Sequence, residues 1–526
     1  MFVNRNLQHL GRDNDHAGGV WPTDGGECRT MRTYPALYQI NTRVYVGELS
    51  RALGRPATLD DVPDRELERI AGLGFDWVWL LGVWQTGVAS RAVSRAHPEL
   101  RREFERVLPD LIEADICGSC FAITGYTVHT DLGGDEALAR LRRRMLAHGL
   151  RLMLDFVPNH IALDHPWVRT NPDFFVAGTD ADLAREPLNY VCMNDRGVVA
   201  PAPVAGGRIL AYGRDPYFPG WTDTLQLNYG NPLLHEAMQA ELLKIAGQCD
   251  GVRCDMAMLL LPDVFARTWG IAAPDFWPGA ISQMQARRPE FVFMGEVYWD
   301  LEWTLQQDGF DFTYDKRLYD RLRDRDAGAA RGHLHADLAF QQQSARFIEN
   351  HDEPRAAATF PAAVHEAAAV ITYLVPGLRL FHQGQLEGRR TFLPVHLCRA
   401  PFEPTDTVVQ EFYMRLLACM RDPAVTDGTW RLLDCTTAWE GNHSWECFIA
   451  FEWVAADDRL LVVVNYADHP SQCYVHFELG EAFRGGTVYL VDRMSPTTYD
   501  RDATDLSSCG LYLDLPSWAY HVFALQ

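Results

Sequence analysis

Short apolar runs alternate with longer amphipathic stretches over most of this chain. Leu37–Asn41 is the first run, and Asp60–Ala71 follows with Leu67, Ile70 and Ala71 at helical spacing. Trp77–Leu81 is the second run. A long segment, Gly82–Gly134, separates it from a helical stretch at Glu136–Ala147 and a third run at Leu152–Phe156. Asn231–Ala246 has helical periodicity, with Pro232 in its first turn where a missing N–H is tolerated. Further runs are Gly251–Cys254, Phe291–Gly295, a weaker one at Phe310–Tyr314, Ala345–Ile348 and Leu378–Phe381. Eight strand-like runs with helices between them predict an α/β fold, a (β/α)8 barrel enlarged by insertions. The competing architecture is an open doubly wound sheet, but no Gly-x-Gly-x-x-Gly turn follows an early strand.

The remaining segments break that rhythm. Residues 1–32 read as an irregular leader, and 33–158 with 228–424 as the barrel. Residues 159–227, rich in Pro, Gly, Asn and Asp, are too long for a plain loop and predict an inserted domain after the third strand. From 425 to 526, strand-like runs at Phe448–Phe451, Leu460–Val464, Cys473–Phe477, Thr487–Leu490 and Tyr520–Leu525 predict a C-terminal antiparallel β-domain.

Composition narrows the partners. A formal charge of −22 disfavours nucleic acid and anionic membranes and suits a neutral substrate. No apolar run of about 18 residues appears, and the first residues lack the apolar core of an export signal. Twelve cysteines in a chain without such a signal are expected to be mostly reduced, which points to the cytoplasm. Cys117 and Cys120 form a C-x-x-C pair with no second pair at zinc-site spacing, so the bland structural reading is preferred.

The candidate chemistry lies in acidic residues at the ends of apolar runs. Arg253 and Asp255, two apart, share a face, and a guanidinium beside a carboxylate favours its charged form. That suits a nucleophile, and equally a strand-end salt bridge. Glu296 ends the apolar run Phe291–Gly295 and precedes Val297, Tyr298 and Trp299. Desolvation by such neighbours raises a carboxyl pKa, as a general acid needs; a buried, satisfied Glu is the alternative. Asn350-His351-Asp352 places an imidazole beside a carboxylate suited to stabilising an oxocarbenium-like transition state. His160 follows the third run, and no third ligand at zinc spacing accompanies these histidines. Trp84, Phe121, Tyr126, Trp221 and Trp299 are candidates for stacking on sugars.

Four segments in order resemble the short regions of the α-amylase family, glycoside hydrolase family 13. They are Asp155-Phe156-Val157-Pro158-Asn159-His160, Gly251-Val252-Arg253-Cys254-Asp255, Gly295-Glu296-Val297 and Phe347-Ile348-Glu349-Asn350-His351-Asp352. Gly384-Gln385 resembles a further family segment. The resemblance implies Asp255 as nucleophile, Glu296 as acid then base, and Asp352 as transition-state stabiliser. It implies substrate-binding or supporting roles for Arg253, His160, His351 and Asp155, and for Phe121 in place of a stacking tyrosine.

Departures from the family pattern matter as well. Met258 and Leu259 stand where many α-amylases carry Lys-His, so acceptor binding is expected to differ. Gln226 replaces a frequent Asp, which puts calcium in doubt although Asn159 resembles a calcium ligand; no other cofactor or metal is expected. Ala122 replaces an Asp that several exo-glucosidases use. The implied function is a retaining glycoside hydrolase or transglycosylase acting on an oligo- or polysaccharide with α-glucosidic links. Two readings remain open beside it. One is a trehalose- or sucrose-type isomerase or phosphorylase on the same scaffold. The other is a non-catalytic glycan-binding homologue, which would ordinarily have lost these acids.

Overall fold

The computed structural model describes residues 32–200, 203–204, 206–456, 458–480, 483 and 485–526. All of the expected leader except residue 32 lies outside them.

Eight parallel strands close into the expected barrel: β1 (Ala36–Asn41), β2 (Trp77–Leu81), β3 (Arg151–Phe156), β4 (Gly251–Cys254), β5 (Val292–Gly295), β6 (Phe312–Tyr314), β7 (Ser344–Arg346) and β8 (Leu378–His382). Each pairs with its neighbour in sequence, and β1 closes on β8. The strands are buried on both faces, which is why they read as nearly unbroken apolar runs. Register sets Arg253 of β4 opposite Asp155 of β3, and Gln39 of β1 opposite Trp79 of β2. Polar side chains at the strands' C-terminal ends therefore converge on one mouth.

The helices around the barrel include α1 (Thr42–Leu53), α2 (Gly134–Ala147), α3 (Pro232–Ala246), α4 (Glu302–Gln307), α5 (Lys316–Arg323), α6 (Ala327–Leu334) and α7 (Ala362–Leu374). Helix α1 shows how the chain punctuates them. The Asn41 side chain accepts from Val44 N at 3.3 Å, and Gly54 ends the helix at φ 65°, where a Cβ would be strained.

Two strand readings need correction. The seventh strand stops at Arg346, where pairing with β8 ends; Phe347 and Ile348 stay buried but carry the chain over towards His351 and Asp352. The sixth starts at Phe312, because Phe310 turns into the core against Trp277 (centroids 4.8 Å apart).

Between β3 and β4, residues His160–Ala162 pair with Thr224–Gln226, and a four-stranded sheet lies within the insertion. After the barrel come six antiparallel strands, β9 (Thr429–Leu432), β10 (Phe448–Ala455), β11 (Asp458–Asn465), β12 (Thr487–Asp492), β13 (Thr498–Asp502) and β14 (Tyr520–Leu525), in one sheet ordered β9-β10-β11-β14-β12-β13. A three-stranded sheet covers it. Alternation divides the central strands cleanly. Phe448, Ala450, Leu461 and Val463 pack into the sandwich, whereas Ile449, Phe451, Trp453, Leu460, Val462 and Val464 join the barrel's apolar core. Trp453 Nε1 donates to Leu374 O of α7 at 2.7 Å. No helix among the described residues is long and apolar enough to cross a membrane.

Candidate active site

Arg253 organises the mouth. Its guanidinium is fully buried, with Trp79, Phe121 and Tyr314 rings 5.3, 5.2 and 5.7 Å from Cζ. Nη1 donates to Asp255 Oδ1 at 2.6 Å, Nη2 donates to Glu296 Oε2 at 2.7 Å, and Nη2 lies 3.7 Å from Asp352 Oδ2. Nε donates to the Tyr314 hydroxyl at 3.2 Å. Three carboxylates thus share one cation, and the site holds an excess of negative charge.

Burial pushes Asp255 and Glu296 above their usual range, and crowding at the mouth raises Asp352 as well, while Arg253 pulls each back. At Asp352 the Glu296 charge adds to the loss of solvation. Glu296 is held at both oxygens: Met256 N donates to Oε2 and Tyr298 OH to Oε1, each at 2.7 Å. Met256 itself sits in the left-handed region at φ 45°, which turns the chain that follows it. Asp255 Oδ2 has no hydrogen-bond partner among the described residues. Asp352 is the open member, its side chain 39% exposed.

The two histidines are neutral. Gln39 Nε2 donates to His351 Nδ1 at 2.8 Å, which leaves the ring proton on Nε2, 3.0 Å from Asp352 Oδ2 though off the line of a good hydrogen bond. Burial holds His351 well below the ordinary imidazole range, and Phe121 and Trp79 flank its ring at 5.6 and 5.3 Å. His160 is pulled down to about 3 by burial and meets Trp221 edge-on at 5.0 Å.

Both oxygens of Asp155 accept hydrogen bonds from the protein. Trp79 Nε1 donates to Oδ1 at 3.0 Å and Gly82 N to Oδ2 at 2.8 Å, and burial pushes its carboxyl up to about 7. Its contacts fix Trp79, which in turn packs on Arg253 and His351.

Asn159 lies at the joint between barrel and insertion. The Gln226 amide nitrogen donates there to Asn159 Oδ1 (2.9 Å), Asn159 O (3.0 Å) and Leu227 O (3.1 Å). These oxygens resemble a cation's ligands, but an N–H₂ group stands among them. The residues present do not fit calcium, and no group of three or more metal-ligating side chains occurs among the described residues.

Some aromatic and acceptor-side readings change. Trp84 and Tyr126 are core residues whose polar atoms donate to Asp155 O and Val157 O, so neither stacks on a ligand. Trp221 and Trp299 are part-exposed, and Trp299 meets Tyr217 at 5.0 Å. Met258 and Leu259 are buried in a short helical turn, Ala257–Leu260, and offer no surface to an acceptor. Cys120 packs under Gly82, and Cys117 accepts from Arg43 Nη1 at 3.4 Å, a structural setting. Sequence reasoning missed Tyr298, Gln39 and Trp79 as parts of the site. A lone polar residue inside the first apolar run was a signal for Gln39.

No family model matches the chain. Alpha-amylase MalA of Haloarcula japonica is 24% identical over 469 residues, covering 85% of this chain and 59% of that protein. An alpha-1,4-glucan:maltose-1-phosphate maltosyltransferase of Pseudomonas aeruginosa is 30% identical over 160 residues, 30% of this chain and 21% of its own length. The chain spans less than three-fifths of the length of the first curated relatives it matches. Among solved structures, the maltogenic alpha-amylase AmyB of Thermotoga neapolitana superposes with TM-score 0.67 at 18% identity, covering 94% of this chain and 98% of that one.

Proposed function

We propose, from the chain's place in the α-amylase family, that it is a retaining enzyme which hydrolyses or transfers α-linked glucosyl units. One observation carries the reading: two buried carboxylates and the more open Asp352 converge on Arg253, with one oxygen of Asp255 left free. Asp255 Oδ2 attacks the anomeric carbon while Glu296, whose carboxyl burial raises above its ordinary range, gives a proton to the departing oxygen. The glycosyl–Asp255 ester is then opened by water or a sugar hydroxyl that Glu296 deprotonates. As the ring gains positive charge, Asp352 and the surplus negative charge of the cluster stabilise it. Phe121 and neutral His351 provide a wall for the sugar at the cut bond. No step uses a metal at Asn159, because the Gln226 amide already satisfies those oxygens.

Proton NMR with maltooligosaccharides, isomaltose, trehalose, sucrose and an activated α-glucoside tests this. An α-anomer appearing first, and absent with Asp255→Asn, is the expected result. A β-anomer appearing first, or full turnover by Asp255→Asn, would overturn it.

A further inference from the structure

Cys117 and Cys120 are structural as a C-x-x-C pair, but Cys117 has another sulfur beside it. Ile116 and Leu397 form an antiparallel bridge, with Cys117 N donating to His396 O at 2.9 Å and Cys398 N to Asp115 O at 3.0 Å. Ile116 and Leu397 turn into a small apolar cluster with Phe104 and Leu108. Alternation sends the flanking side chains the other way, so Cys117 and Cys398 are diagonal neighbours on one face. Their thiols share a hydrogen bond.

Both cysteines line a cavity of about 270 Å³, together with Arg43, Arg91, Arg95 and His129. Arg43, in the first turn of α1, donates from Nη1 to Cys117 Sγ at 3.4 Å and from Nη2 to Thr86 Oγ1 at 3.2 Å, and no carboxylate pairs with it among the described residues. An unmatched cation beside a thiol favours the thiolate, which is the reactive form. The hydrogen bond with Cys398 and the Arg43 charge hold Cys117 below the ordinary thiol range against the opposing push of burial, and the same bond lifts Cys398 above it. One sulfur is set to attack and the other to follow. Cys435 and Cys473 of the C-terminal sandwich also share a hydrogen bond, but both are buried, whereas Cys117 and Cys398 are part-exposed.

We propose that Cys117 and Cys398 are a modification site for peroxide, which joins them in a reversible disulfide. The Cys117 thiolate attacks one peroxide oxygen; an S–O bond forms, the O–O bond breaks, and hydroxide leaves and takes up a proton as water. The Cys398 sulfur then attacks the Cys117 sulfenic acid; the S–S bond forms, the S–O bond breaks, and the oxygen departs with the Cys398 proton as a second water. Two thiols are oxidised and one peroxide is reduced. The link ties residues 117–121 to the segment after β8. Phe121 ends that stretch, its ring 5.2 Å from Arg253 Cζ and 5.6 Å from the His351 ring, so the tether bears on the wall of the mouth and lowers turnover. The effect on turnover rests on the proposed function; formation of the disulfide does not.

Hydrogen peroxide treatment, alkylation of the remaining thiols and peptide mass mapping of wild-type, Cys117→Ser and Cys398→Ser proteins test it. In the wild type a linked Cys117–Cys398 peptide pair should form and be lost with dithiothreitol, while maltotriose turnover falls several-fold and recovers. Cys117→Ser should keep its turnover through the same treatment. Cys398→Ser should carry a sulfenic acid on Cys117 that dimedone traps. Cys117 and Cys398 both still alkylated when the exposed Cys509 is oxidised, a Cys117–Cys120 link in their place, or a linked enzyme as active as the reduced one would each overturn the proposal. A reduced enzyme that turns over no sugar sinks the proposed function instead, and the peptide map then decides the disulfide by itself.

Discussion

Arg253 and Arg346 are both fully buried in the barrel wall, and their surroundings differ in one respect. Arg346 meets a single carboxylate, Asp315, and completes its set with Gln341 Oε1 and Pro376 O. Asp315 is closed in turn by His333 and by Leu318 N. Charge balances and every contact faces protein. Arg253 meets three carboxylates, one of them open to solvent, and one oxygen of Asp255 stays free. A structural ion pair neutralises itself. The mouth instead keeps a surplus of negative charge pointed at space, which has value only if positive charge develops there.

Substitutions on the two arginines' partners should separate these roles. Asp255→Asn should lower turnover by about 10⁴-fold or more, the scale of losing a nucleophile. Its urea midpoint should hold or rise, because a surplus charge is removed; a large fall would make Asp255 a structural partner like Asp315. Asp315→Asn should do the reverse. It should cost about 3–5 kcal/mol of stability by stranding Arg346, with kcat of the folded fraction unchanged.

Tyr298→Phe probes the acid itself. The lost hydrogen bond lowers the Glu296 pKa in the native enzyme, so its removal should raise it. Activity that needs protonated Glu296 then persists to higher pH, and the basic limb of kcat/KM moves up. A limb that stays in place would remove Tyr298 from the mechanism.

A further effect concerns stability towards acid. His160 sits at about 3, and His165, His333, His365 and His396 at about 4, all lowered first by burial from 6.5. The unfolded chain binds protons at these positions that the native chain refuses. Their contribution is therefore full above about pH 6.5 and lost as pH falls towards 4. Urea midpoints measured across that window should fall steadily, and a flat profile would show that other groups dominate.

Much of this site was legible because its acids follow apolar strands, where a charged residue stands out. The (β/α)8 order was legible for the same reason. Gln39 and Trp79 were harder to place, since their roles depend on β1 lying between β2 and β8, a closure that local pattern does not encode. Trp84 and Tyr126 were misread because composition near a mouth says nothing about which way a ring turns. Met258 and Leu259 were assigned to the acceptor side by analogy; the left-handed turn at Met256 sends them inward.

The C-terminal sheet is shared between two parts of the molecule. Its central strands give one side to their own sandwich and the other to the barrel. Cut away after about residue 428, the barrel would present a wide greasy wall to water, and the severed strands would lose half their burial. The two parts therefore form one cooperative unit. A chain released partway through that segment would be prone to cling to others of its kind until the last strand, Tyr520–Leu525, slides in between β11 and β12.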